Sequence, residues 1–378
     1  MAKKQRAEDP LPLPFLFSPT GFSASLLLLL PAMAYRMWRR LSLSLCALCA
    51  LLLPPAPGNG EISVDQPGAI AIYPKIFRDA SNDTIIQITN TSGGPVFLLC
   101  IYVNAAPDPL SGEPLWTLTD FQIRLTRQQP VLWVAGEGLA AVPTDGRPLD
   151  LHPGPVPPLP EGFIGELRCV VIDDGERPIS RNALTGRATL IDRTTGATRK
   201  YSAITLRGLP GNNRDLALAL NELEYSACPR ILLLNHFYDQ APDPILGTPV
   251  ESSLTLVPCS ADYERAVPGS STLLFETFNE FEQRLSASLE FRCFADLRLS
   301  SIDSAANPER SIFHFALQGT LTGQTRIRPV PDRGLPMGRG VVGIAEEFRN
   351  NGSAGSAMNL HFIGGSLQTD VMILPSSF

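Results

Sequence analysis

The sequence predicts an all-β protein built as two tandem β-sandwiches behind a cleaved leader. Three observations predict it. First, 35 prolines and 30 glycines punctuate short apolar runs rich in Ile, Val, Leu, Thr and Phe, which is the profile of a strand-and-turn chain. Second, a set of landmarks in residues 61–207 recurs in the same order in residues 222–378. Third, Met37-Trp38-Arg39-Arg40, the leucine-rich run Leu41 to Leu53 and the exit Pro54-Pro55-Ala56-Pro57-Gly58 form the three parts of a secretory signal peptide.

The leader is residues 1–58. A second apolar patch, Phe22 to Met33, lies upstream, and Arg36, Arg39 and Arg40 separate the two. Each patch is shorter than the roughly 20 apolar residues of a membrane crossing. Joining them would bury arginines that cost about 2.5–3.5 kcal/mol each at mid-bilayer. A stable membrane span is therefore not expected. Translation from Met33 or Met37 is the simplest reading, with an unusually long leader or a retained anchor as alternatives. Ala56 and Gly58 offer small residues to a signal peptidase, leaving Asn59 as the mature N-terminus. Leu45 and Leu48 precede Cys46 and Cys49 where a lipid-attachment site would carry a small residue.

Removing the leader's six basic and two acidic residues from totals of 31 and 37 leaves 25 and 35, a net charge of −10. An acidic surface without basic clusters excludes nucleic acid as an expected partner. Five cysteines remain after the leader. Export permits pairing, and position favours Cys100 with Cys169 and Cys228 with Cys259, leaving Cys293 alone. Buried reduced thiols are the alternative.

In the first half, Ala69 to Tyr73 ends at Pro74. Thr84 to Thr89, the turn Asn90 to Pro95 and Val96 to Val103 read as an antiparallel hairpin. Asp120 to Thr126 alternates, with Phe121, Ile123 and Leu125 on one face, as a half-buried strand does. Val131 to Ala135 is a further strand. The Pro-rich segment Pro143 to Pro160 lacks the donors a sheet needs and reads as a loop. Gly162 to Ile172 resumes as a strand, and Thr189 to Asp192 with Ala197 to Leu206 form a second hairpin. Gly208 to Asn221 reads as the linker, with Asp215 to Glu224 a short helix or an extra strand. In the second half Leu254 to Pro258 mirrors Ile70 to Pro74, and Leu273 to Thr277 mirrors Ile85 to Thr89. Leu289 to Phe294 mirrors Val96 to Ile101, aligning Cys293 with Cys100. An alternating strand at Ile312 to Leu317, a loop from Arg328 to Arg339 and Gly340 to Gly343, matching Gly162 to Gly165, complete the repeat. Two units suffice for independent sandwiches; a solenoid needs three or more.

A strand, then Asn90-Thr91-Ser92-Gly93-Gly94-Pro95, then a return strand ending Cys100-Ile101-Tyr102-Val103 resembles the Ig-like and fibronectin-type-III-like modules of exported bacterial proteins. Phe163-Ile164-Gly165-Glu166-Leu167 is similar to a late strand of such modules. The resemblance implies two Ig-like β-sandwich domains, 61–207 and 222–378, joined at 208–221, and an extracytoplasmic location. It implies no activity and no catalytic residue, and the strand-C tryptophan of antibody domains is missing.

Chemistry is thinly signalled. The four histidines are His152, His236, His314 and His361, and no Gly-x-Ser-x-Gly elbow occurs. The richest cluster is Asn235 to Asp243, where His236, Asp239 and Asp243 are candidate metal ligands or acid–base groups; their spacing matches no metal motif, and Asp243 with its neighbouring prolines reads as a turn. Asp173-Asp174-Gly175 and Asp145-Gly146 are turn signals. Glu346-Glu347 and Glu280-Phe281-Glu282 read as solvated faces. Trp116 and Trp133 are core residues or an aromatic platform. Asn82, Asn90 and Asn351 open sequons that turn-forming asparagine explains. The expected function is that of a secreted or cell-envelope structural or binding module, non-catalytic and without cofactor, meeting a protein or a cell-surface polymer. The alternative is an extracytoplasmic hydrolase or a carbohydrate-binding accessory protein.

Overall fold

A computed structural model describes residues 63–377 apart from 144, 145, 147, 332–337, 351 and 368, and without the side chains of 364–366. The leader, with Met33, Met37, Cys46 and Cys49, lies outside the described residues. The strands of the first half are β1 (Ile70–Arg78), β2 (Asn82–Asn90), β3 (Val96–Asn104), β4 (Thr117–Leu125), β5 (Pro130–Val134), β6 (Phe163–Ile172), β7 (Leu184–Asp192), β8 (Thr198–Ser202) and β9 (Ile204–Leu206). Then come β10 (Ala217–Leu220), β11 (Cys228–Phe237), β12 (Ala241–Pro242), β13 (Pro249–Pro258), β14 (Ala261–Asp262), β15 (Ser270–Asn279), β16 (Arg284–Arg292) and β17 (Ala295–Arg298). Two single-turn helices, α1 (Ser301–Ser304) and α2 (Phe315–Gln318), precede β18 (Thr322–Pro329), β19 (Val341–Arg349), β20 (Ala354–Asn359), β21 (His361–Leu367) and β22 (Asp370–Ile373).

These strands form five small sheets, set out as the five blades of a β-propeller and not as two tandem Ig-like sandwiches. Their orders are β4-β3-β6-β1-β9, β5-β2-β7-β8, β10-β22-β14, β16-β15-β18-β11-β21 and β12-β13-β19-β20, with β17 also on β13. The blades are not the consecutive four-stranded meanders of a regular propeller, because strands distant in sequence meet in most of them.

The correction has a physical cause in the burial of the central strands. Eight of the nine residues of β1 and nine of the ten of β6 are buried, so that sheet is covered on both faces. One face joins a core with Ile86, Ile88, Trp133, Ala188 and Leu190. The other face, through Ile70, Ile72, Leu99, Ile101 and Val170, joins Val257, Cys259, Tyr263, Val342 and Met372 of the second half in a shared core. A third core gathers Leu232, Leu254, Phe275, Phe313 and Ile327. Independent tandem domains would leave those outer faces polar. The described residues accordingly form one compact unit. Within the expected linker, β10 pairs antiparallel with β22, and β22 pairs parallel with β14.

Two local expectations also change. β2 and β3 do not form a hairpin: β2 pairs with β5 and β7, β3 with β4 and β6. The turn carries the chain from one sheet to another, held by the Asn90 amide donating to the carbonyls of Gly94 and Thr126 at 2.8 Å each. Ile312 to Leu317 is a turn leading into α2, whose N-cap is His314; its Nδ1 accepts from the Ala316 N–H at 3.1 Å. The repeat is therefore uneven. β1 on β6 corresponds to β13 on β19, both antiparallel, but β15 and β16 are a hairpin where β2 and β3 are not. Cys100 sits within central strand β3 and Cys293 follows edge strand β16, so the two are not equivalent.

Cys100 and Cys169 stand opposite each other on β3 and β6 and are joined. Cys228 on β11 is joined to Cys259, and Cys293 is a buried free thiol. Disulfides of this kind fit an oxidising, extracytoplasmic environment. No helix among the described residues is long and apolar enough to cross a membrane.

Candidate binding cleft

At one end of the β16-β15-β18-β11-β21 sheet, the sheet face, the β15–β16 turn and β19–β20 enclose a cleft of about 680 Å³. Strand alternation builds its floor: Asn235 of β11 and Phe278 of β15 both stand opposite Gln324 of β18 and so share its face. Phe237, Phe278 and Met358 give it apolar walls; Asn235, Gln324, Glu280 and Glu347 give it polar ones. The Arg326 guanidinium lies over the Phe278 ring at 5.5 Å and that of Arg349 over Phe237 at 5.1 Å, which orients both rings. Gly323 is required in β18 because a Cβ there would collide with the Tyr238 hydroxyl. The β15–β16 turn is fixed by Asn279, whose Oδ1 accepts from the Phe281 and Gln283 N–H groups at 3.0 Å and whose amide donates to Gln318 Oε1 at 3.1 Å.

His236 lines the cleft yet is only 4% exposed. Its Nδ1 lies 3.1 Å from the Phe237 carbonyl and its Nε2 2.8 Å from Thr325 Oγ1. A carbonyl only accepts, so Nδ1 carries the proton and, in the neutral ring, Nε2 accepts from the threonine hydroxyl. Burial pulls the imidazole down to about 4, against the opposing pull of the Phe237 carbonyl. The ring packs edge-on to Tyr238 and against Phe313.

Asp239 and Asp243 do not line the cleft. Asp239 is a buried cross-link: Oδ1 accepts from Ser252 N–H at 2.7 Å and Oδ2 from Ser300 N–H at 2.8 Å. Burial pushes its carboxyl up, opposed by those hydrogen bonds. Asp243 turns the β12–β13 connection, accepting from Ile245 and Leu246 N–H at 2.8 Å each and from Arg349 at 3.1 Å. The Leu246 and Ile245 amides, helped by Arg349, hold it below the ordinary carboxylate range. The three candidates thus serve separate partners. Glu280 accepts from the Thr322 hydroxyl and N–H, which lower its pKa. Glu347 accepts from Phe237 N–H at 3.4 Å and Arg349 at 3.2 Å. Among the described residues the group close enough to hold a metal is Cys228, Cys259 and Asp370; its two sulfurs are bonded to each other and offer no thiolate.

The expectation of a solvated face is corrected for Glu347, 6% exposed, and for Glu346, which is fully buried. Its Oε2 takes the Lys75 ammonium at 2.5 Å and its Oε1 the Arg199 Nε at 2.7 Å, while Lys75 also reaches Asp296 at 2.9 Å. This network ties β1 and β8 to β17 and β19 beside a second cleft of about 420 Å³. Arg168, 1% exposed, pins the halves likewise: it holds Glu166 at 2.9 Å and donates to the Pro258 and Cys259 carbonyls at 2.6 and 3.0 Å. The only trace in the sequence was a lysine or arginine inside an otherwise apolar strand, Lys75 and Arg168. Trp133 is buried and donates to the Tyr102 hydroxyl at 2.7 Å; Trp116 stacks on Tyr263 at 6.0 Å. Asp173 is a turn residue, accepting from Gly175 N–H at 2.9 Å.

No protein-family model and no curated protein matches the chain. Among solved structures, a crystal structure of red sea bream transglutaminase aligns at 8% identity over 81% of this chain and 32% of that one, with a TM-score of 0.13. The alignment spans about a third of that protein's own length, and a similarity at this level assigns neither fold nor activity.

Proposed function

We propose that this protein is an exported, non-catalytic binding protein whose cleft takes a short stretch of a cell-surface polysaccharide. One observation carries the reading: the polar groups of the cleft present planar amides and carboxylates beside two oriented phenylalanine rings, while its histidine is neutral, buried and bonded at both nitrogens. Rings and planar polar groups are what a ring-bearing, hydroxyl-rich ligand needs; a few placed polar groups on an apolar wall suit binding. The disulfides and the expected leader support secretion to the cell surface or periplasm. The test is an array of neutral and acidic oligosaccharides probed with the mature protein. Saturable binding that falls about tenfold in Phe278→Ala supports the reading, a change of about 1.4 kcal/mol. Release of hydrolysis products that His236→Gln abolishes would establish the hydrolase alternative instead.

A further inference from the structure

Strand β16 is an edge. It pairs with β15 and, among the described residues, with no other strand. It is nine residues long and lacks the proline, bulge or inward charge that normally protects an edge. The edge strand β4, by contrast, is met by the Pro-rich loop, Arg124 N–H donating to the Pro153 carbonyl at 2.7 Å. On the inner face of β16, Leu285, Ala287 and Leu289 are half-buried; α1 packs against the strand through the core that holds Ile302, and the backbone edge carries no further strand.

The sequence of this edge is self-complementary. Arg284-Leu285-Ser286-Ala287-Ser288-Leu289-Glu290 reads as a palindrome about Ala287 whose two ends carry opposite charge. We propose that β16 pairs antiparallel with β16 of a second copy of this chain, with Ala287 on the two-fold axis, fusing two five-stranded sheets into one. In that register Leu285 of each copy faces Leu289 of the other on the inner side. Ser286 faces Ser288 on the outer side, and Arg284 faces Glu290 twice. Cross-strand apolar and opposite-charge pairs are the units that stabilise a sheet, and the interface is isologous, as a two-fold dimer requires. Shifting the axis to Ser288 would instead oppose Arg284 with Arg292, so charge selects the register. Arg284 is already turned to the outer face, where it pairs with Glu276 and remains 60% exposed. The inference is independent of the cleft and of its ligand.

Sedimentation equilibrium of the mature protein should show a monomer–dimer equilibrium. Ala287→Lys, which sets two ammonium groups against each other at the axis, should give a monomer with unchanged circular dichroism. Arg284→Glu and Glu290→Arg should each weaken self-association about tenfold or more. Mixed together, these two variants should form a heterodimer, because every end pair is then opposite in charge. A wild-type chain that is monomeric at 100 μM (on the order of ten times a micromolar-range Kd), an Ala287→Lys variant that still dimerises, or a mixture that fails to associate would each overturn the proposal. Phe278 stands opposite Arg284, so loss of oligosaccharide binding in Phe278→Ala bears on the cleft alone when its sedimentation matches the wild type.

Discussion

Glu346→Gln should destabilise the protein by about 3–5 kcal/mol, the cost of breaking a buried ion pair by removing one partner. Glu346 has a side-chain exposure of 0%, and the Lys75 and Arg199 side chains it separates are 9% and 8% exposed, so water cannot replace the lost carboxylate. Asp296, 20% exposed, then remains to balance two cations. At this chain size roughly 2 °C accompanies each kcal/mol, so Tm should fall by about 6–10 °C. Replacing the group together, Lys75→Met with Glu346→Leu and Arg199→Met, should recover most of the loss, because apolar packing of similar volume often matches a buried ion network. The pH dependence has a definite sign. Burial pulls the Lys75 pKa down, but Glu346 and Asp296 outweigh it and leave it raised above 10.5. The network's contribution is therefore fully present below pH 10.5 and is lost as pH rises through the folded value. Urea titrations at pH 8 and pH 11 on wild type, Glu346→Gln and the triple variant measure these effects. A Glu346→Gln loss under about 1 kcal/mol, the range of an exposed pair, would refute the burial argument.

The two disulfides close loops separated by 69 and 31 residues, and the chain-entropy relation gives each about 4 kcal/mol. Cys→Ser at either pair should lower the urea midpoint accordingly, and an unchanged midpoint would show that the bridge is not formed. Burial pushes the Cys293 thiol well up, so Ellman's reagent should find no reactive thiol in the native mature chain and one per chain in guanidinium. Rapid native labelling would contradict its burial. Arg168→Met should cost about 3–5 kcal/mol, since Glu166 would be left buried and unpaired; calorimetry showing a neutral change would mean that Glu166 is solvated.

Strands were legible at several places where one face is buried, but β11 and β18, which also alternate, were not. Alternation in Asp120 to Thr126 marks β4, and the apolar run from Gly162 marks β6. Which strands pair was not legible, because alternation reports that a face is buried and not what buries it. Val96 to Val103 looks the same beside β2 as beside β6, and only the tertiary structure places it on β6. The double burial of β1 and β6 did leave a trace in their unbroken apolar text, the mark of a strand covered on both sides, but duplication suggested two separate cores. The candidate site residues differ for another reason. His236, Asp239 and Asp243 lie close in sequence, yet a strand and its following turn send each to a different partner. Glu346 and Lys75 are 271 residues apart, and nothing local marks either as half of a pair.

The central claim, that the cleft histidine is a neutral structural group in a binding site, is tested most directly by NMR titration of His236 in the mature protein. The expected apparent pKa is about 4. Stability should also fall as pH drops from 6.5 toward 4, because the unfolded imidazole takes the proton first. A His236 that titrates at or above 6.5, freely exchanging with solvent, would contradict it and return the residue to the role of a general base.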